Sequence, residues 1–148
     1  MKTISKTTYV EWLNAEEMHE HVQQWMSELE FANDEFRFLE DLIKTYTLQL
    51  IESKQFSDNK EIIDAINRTG KRNHLLLEAI RVHSNELEIL MDGIDQPKDE
   101  ESYKERHRDL ILRVKEFLLD YRSLKTQLFS MIQSILKKEK QRLLLDRR

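Results

Sequence analysis

The sequence predicts an all-α protein: an elongated, antiparallel (up-down-up) three-helix bundle with coiled-coil-like packing, formed as a single domain over residues 1–148. Two observations carry this expectation. Helix breakers are scarce, with two Gly and one Pro in the chain. Apolar residues recur at alternating steps of three and four, the spacing that keeps every member on one helix face. The breakers gather at KQFSDNK around 54–60 and at Gly93-Ile94-Asp95-Gln96-Pro97, leaving helical segments of about 8–54, 58–92 and 97–146. Residues 1–7 and 147–148 are expected to fray, as short ends do.

Thr8 with Glu11 forms a capping-box pattern at the start of the first segment. Its apolar frame collects Ala15, Met18, Val22, Trp25, Leu29, Ala32, Phe36, Leu39, Ile43, Tyr46 and Leu50, with Met26 and Leu42 alongside. Asp58 with Glu61 marks the second start, by analogy with the Ser/Thr box. Gly93 suits the position just past that helix. The second frame is Ile62, Ile66, Thr69, Asn73, Leu76, Ile80, His83, Leu87, Leu90 and Ile94, flanked by Ile63, Leu77 and Met91. Gly70 costs about 1 kcal/mol of helix stability relative to Ala, so the helix could bend or break there or run through. In the third segment Pro97 suits the first helical position, where its missing N–H costs nothing. Ser102 with Glu105 is a second possible start. The third frame is Tyr103, His107, Leu110, Val114, Phe117, Tyr121, Leu124, Leu128, Met131 and Ile135, flanked by Ile111, Leu118 and Ile132. Stripes this wide suit a bundle rather than a two-stranded seam.

Short links favour antiparallel neighbours. At ~1.5 Å per residue the first helix would be on the order of 65–70 Å long. Its N-terminal part and the C-terminal part of the third helix should then overhang at opposite ends. Residues 9–54 hold eleven acids and three bases, a net −8, while 103–148 hold six acids and thirteen bases, a net +7. Complementary rods of this kind help to select partner and orientation. Each exposed pair is worth only ~0–1 kcal/mol, so apolar burial must supply the stability.

Composition excludes several chemistries. With no Cys there is no disulfide, thiol nucleophile or Cys-based zinc site. With the two Gly there is no P-loop and no dinucleotide-binding Gly-rich turn. No Ser-centred nucleophile elbow and no HExxH occurs. The net charge of −4 gives no general pull toward nucleic acid. MKTISKTT is followed by no apolar run, so it does not read as a signal peptide. Apolar runs reach only three residues, too short to span a bilayer. The cytoplasm is the expected location, and no cofactor is expected.

Four groups of residues could carry function. Glu16, His19, His21 and His107, with Glu17, Glu20, Glu88, Asp92, Glu101 and Glu105 nearby, could form a histidine-carboxylate metal site with redox or hydrolytic activity. Only one Glu-x-x-His step is present, whereas carboxylate di-metal bundles use two. A solvated acidic end is the simpler reading. Thr69, Asn73 and His83 form a polar stripe on a buried face; such groups fix register or line a polar pocket. His83 could pair with Glu28 or Glu35, or bond a tyrosine. The basic run at 137–148 carries Leu143, Leu144 and Leu145 and could bind a partner helix or, weakly, an anionic surface. It contains no aromatic base-stacking platform. Finally, Val10, Trp12 and Leu13 place apolar groups in the other overhang. The reading that follows is a non-catalytic structural, adaptor or regulatory interaction module. It would bind a protein partner or a second copy through Val10, Trp12, Leu13, Leu143, Leu144 and Leu145.

Overall fold

The computed structural model describes residues 14–92 and 97–146. Among them there is no strand. Four helices pack together: α1 (Ala15–Thr45), α2 (Thr47–Glu52), α3 (Phe56–Asp92) and α4 (Pro97–Asp146). None is long and apolar enough to cross a membrane. Thr8, Glu11, Gly93 and Ile94, used above as markers, lie outside the described residues.

The first helix does not run unbroken over 8–54. Asn14 is non-helical and caps α1. The Glu17 backbone N–H donates to Asn14 Oδ1 at 2.8 Å, and Asn14 Nδ2 donates back to Glu17 Oε1 at 3.2 Å. This reciprocal pair satisfies a free N–H of the first turn, the work of a capping box. A second interruption falls at Tyr46, with φ −106° and ψ 18°. Threonines flank it. Thr45 Oγ1 donates to the Asp41 carbonyl at 2.8 Å and Thr47 Oγ1 to the Ile43 carbonyl at 3.0 Å. Such back-bonding competes with the helical ladder and bends it. The Tyr46 N–H is shared between the Leu42 and Ile43 carbonyls, both at 3.2 Å.

α3 begins two residues before Asp58, which therefore sits in its first turn instead of capping it. There its charge complements the positive end of the helix dipole. The chain turns into α3 at Ser53, whose ψ of 142° is extended. Its Oγ accepts the Gln55 N–H at 3.1 Å, and its carbonyl accepts the Phe56 N–H.

α3 passes through Gly70 without a break. The Phe36 ring lies against this position, and a Cβ built on Gly70 would sit 3.6 Å from Phe36 Cδ1. That is ordinary contact. Gly70→Ala should therefore raise stability by roughly 0.5–1 kcal/mol, because Ala loses less backbone entropy on folding. Urea unfolding of the two proteins checks this, and a loss of stability would show that the ring cannot accept the methyl.

Contacts divide the chain into two compact units. Unit 1 gathers the chain up to Ala32 with Asn73–Phe117; unit 2 gathers Asn33–Arg72 with Leu118–Arg148. In unit 1 the core includes Val22, Trp25, Leu29, Ile80, Leu87, Tyr103 and Val114, and Met18, Leu87 and Tyr103 form one cluster of it. In unit 2 it includes Phe36, Leu39, Leu50, Ile66, Tyr121, Leu128 and Ile135. These are members of the three apolar frames. Met91 is a correction: expected beside the core, it is exposed. In unit 2, Lys125 of α4 reaches Glu35 of α1 at 3.0 Å, the kind of cross-helix pair the opposed charges imply.

Candidate functional site

A line of three imidazoles runs into the core of unit 1: His83 and His107 are buried and His21 is half-buried. α1 supplies His21 and Trp25 from adjacent turns, α4 supplies Tyr103 and His107 in the same way, and α3 supplies His83. Residues four apart on a helix share a face, so each pair points the same way. His107 is central and fully buried. Its Nε2 lies 3.0 Å from His21 Nδ1, and its Nδ1 lies 2.9 Å from His83 Nε2. Ring centroids are 5.2 Å apart for His21–His107 and 5.1 Å for His83–His107, with interplanar angles of 15° and 24°. These separations are close to the N···N distance plus two ring radii. The rings therefore lie end to end, each nitrogen lone pair aimed at its neighbour's N–H, as a strong hydrogen bond requires.

Aromatic groups sheathe the line. Trp25 packs on His107 with centroids 4.9 Å apart. Tyr103 stacks almost parallel on His83 at 4.0 Å, and its hydroxyl donates to the His83 backbone carbonyl at 2.9 Å. Outside them, Arg106 lies over the Tyr103 ring and pairs with Glu86 at 2.7 Å.

Burial makes charge costly here. It lowers His83 to about 4, the Glu86 carboxylate opposing that shift and the Arg106 guanidinium adding to it. It lowers His107 to about 3, helped by the neighbouring His83 and His21. It also pushes the Tyr103 phenol well above its ordinary range. At neutral pH His83 and His107 are uncharged, each with one N–H donor and one acceptor.

Proton counting follows from the hydrogen bonds. The three rings carry six nitrogens, four of which face one another in the two links. Each link holds one proton. The outer nitrogens, His21 Nε2 and His83 Nδ1, hold one proton in the neutral chain and two when it carries a single positive charge. A second positive charge requires two N–H groups to confront each other, which breaks a link.

The remaining expected site residues are distributed as follows. Glu16 and His19 are exposed on α1. His21 and His107 meet, but end to end, with no common point for an ion. Among the described residues no group of three or more His, Asp or Glu gathers as a metal-binding set. Thr69, Asn73 and His83 are buried but do not form one pocket. Thr69 Oγ1 donates to the Ala65 carbonyl of its own helix, and Asn73 Nδ2 donates to the Leu29 carbonyl at 3.0 Å. Asn73 Oδ1 is buried without a partner. His83 pairs with His107, not with Glu28 or Glu35. Glu28 accepts from Gln24, while Glu35 accepts from the Tyr121 hydroxyl and from Lys125. Leu143, Leu144 and Leu145 are exposed on the last turns of α4. Val10, Trp12 and Leu13 lie outside the described residues.

Sequence reasoning placed His83 and His107 on buried faces but did not join them. The sequence groups His21 and His107 with Glu88 and Asp92, and leaves His83 on a separate polar stripe, whereas His21 and His83 both meet His107. The available signal was that His83 and His107 each stood alone as a basic group on an apolar stripe.

No family model, curated protein or solved structure matches the chain. Fold and site together define an all-helical protein with a chain of three imidazoles, two of them buried.

Proposed function

We infer that this chain is a non-catalytic helical interaction module of the cytoplasm, an antiparallel up-down-up three-helix bundle with coiled-coil-like packing that associates with a second copy of itself. Pairings within unit 1 support the antiparallel arrangement. Met18 of α1 packs with Leu87 of α3, while Leu29, further along α1, meets Asn73, earlier in α3.

The association is carried by one observation: the end of α4 is a helix with an uncovered apolar face set among bases. Leu143, Leu144 and Leu145 are 57, 55 and 65% exposed, and Leu136 is 44% exposed. Leu136, Lys140, Leu143 and Leu144 follow the spacing of one face, with Lys137, Lys138 and Arg142 around them. Uncovered apolar groups of this density mark contact surfaces. The same unit offers a complement. On α1, Phe38 is 57% exposed between the exposed Asp34 and Asp41, one turn away on either side, with Glu40 close by. A leucine-bearing basic helix end in one copy fits a phenylalanine-bearing acidic face in another, and the exchange is reciprocal across a two-fold axis.

Sedimentation equilibrium tests this reading. The wild type should form a dimer that weakens as salt rises, since exposed charges are screened. Leu144→Glu and Phe38→Glu should each shift it toward monomer by tenfold or more in dissociation constant. A wild type that stays monomeric at every concentration, or variants that dimerise unchanged, would contradict it.

A further inference from the structure

We propose that the imidazole chain is a two-proton acid switch that opens unit 1 while unit 2 stays folded. The geometry carries the proposal. With both links intact the line of His21, His107 and His83 accommodates one positive charge, and three separated imidazoles accommodate three. Opening therefore takes up two further protons. Acid shifts the balance toward the open form, because it binds more of them.

The surroundings compensate a second charge only in part, because burial outweighs the one nearby carboxylate. From α1 the line faces Trp25; from α4 it faces Tyr103 and Arg106; from α3 it faces Glu86. Glu86 is the one carboxylate among these; it favours protonation of His83, and the Arg106 it is bound to offsets part of that effect. Among the described residues no carboxylate is hydrogen-bonded to any of the three rings. The desolvated position of His107 between two other imidazoles disfavours its charged form further.

Selectivity for unit 1 follows from where histidine occurs. All five histidines of the chain, at 19, 21, 74, 83 and 107, fall in that unit. The part-buried polar group of unit 2 is built differently. There Glu35 already accepts from the Tyr121 hydroxyl and the Lys125 ammonium, and no imidazole takes part. Mild acid thus acts on one unit, on the packing that holds α1 against α3 and α4 around Trp25.

Amide hydrogen exchange of the full chain, followed from about pH 7.5 to pH 4.5 and corrected for intrinsic rates, tests this. Amides near Val22, Ile80 and Leu110 should lose protection below about pH 6.5, with an opening constant that rises about a hundredfold per pH unit, the signature of two protons. Those near Leu39, Ile66 and Leu128 should keep theirs over the same range. A His83→Phe, His107→Leu double variant should abolish the acid response of the first group. If that variant does not fold, side-chain 15N titration of the wild type decides. Ring protonation of His83 and His107 that coincides with the loss of protection supports the switch. Protonation of both near pH 6.5 with protection retained overturns it. So does simultaneous loss in the two units, or a slope of one proton or fewer.

Discussion

Acidification from pH 7 to about pH 4.5 should remove roughly 4–5 kcal/mol of stability from unit 1, the largest effect expected of any mild change in conditions. Burial holds His83 at about 4 and His107 at about 3 in the folded protein. An unfolded imidazole sits near ~6.5. As pH falls, the unfolded chain binds protons first, so the equilibrium moves toward it. The stability these two groups confer is whole above about pH 6.5 and is lost progressively as pH drops toward their folded values. Urea unfolding at a series of pH values, read through Trp25 on its His107 contact, measures it. A midpoint that holds steady between pH 7 and pH 5 would mean that the two rings are not held neutral by burial.

Phe117→Ala should cost about 3–5 kcal/mol, the range for deleting a buried aromatic ring and leaving a cavity. Phe117 is completely buried in unit 1. Phe31→Ala, also in unit 1, should change stability by no more than about 0.5 kcal/mol, since its ring is 64% exposed. The residue type and the substitution are the same, and only the helix face differs. Parallel denaturation of the two variants checks the pair. Equal losses would place both rings in comparable surroundings and would contradict the assignment of faces.

That contrast also shows what was legible beforehand. Steps of three and four put Phe36, Phe117 and Leu128 on buried stripes and left Phe31 and Phe38 off them, because periodicity records which face meets the core. Helix ends were less legible where two local signals competed. Thr8 with Glu11 and Asn14 with Glu17 both have capping spacing, and the apolar frame runs on without choosing between them. The interruption at Tyr46 depends on hydroxyls of Thr45 and Thr47 bonding back into their own helix, a weak preference beside a strong apolar repeat. The candidate site was legible by composition and not by connectivity. His83 and His107 were visible as polar members of buried stripes. Which groups they meet depends on the longitudinal alignment of helices, where a shift of two or three turns changes every partner. The expected carboxylate partner for His83 failed for that reason: Glu35 stands level with Tyr121 and Lys125 in unit 2.

His107 is a neutral ring hydrogen-bonded through both nitrogens inside a helical core. Side-chain 15N spectroscopy of histidine-labelled protein at pH 7 tests it most directly. The structure calls for a His107 ring with one proton, N–N couplings to both His21 and His83, and imidazole N–H signals slow to exchange with water. A His107 that shows neither coupling and exchanges its ring proton as freely as a solvated imidazole would contradict it.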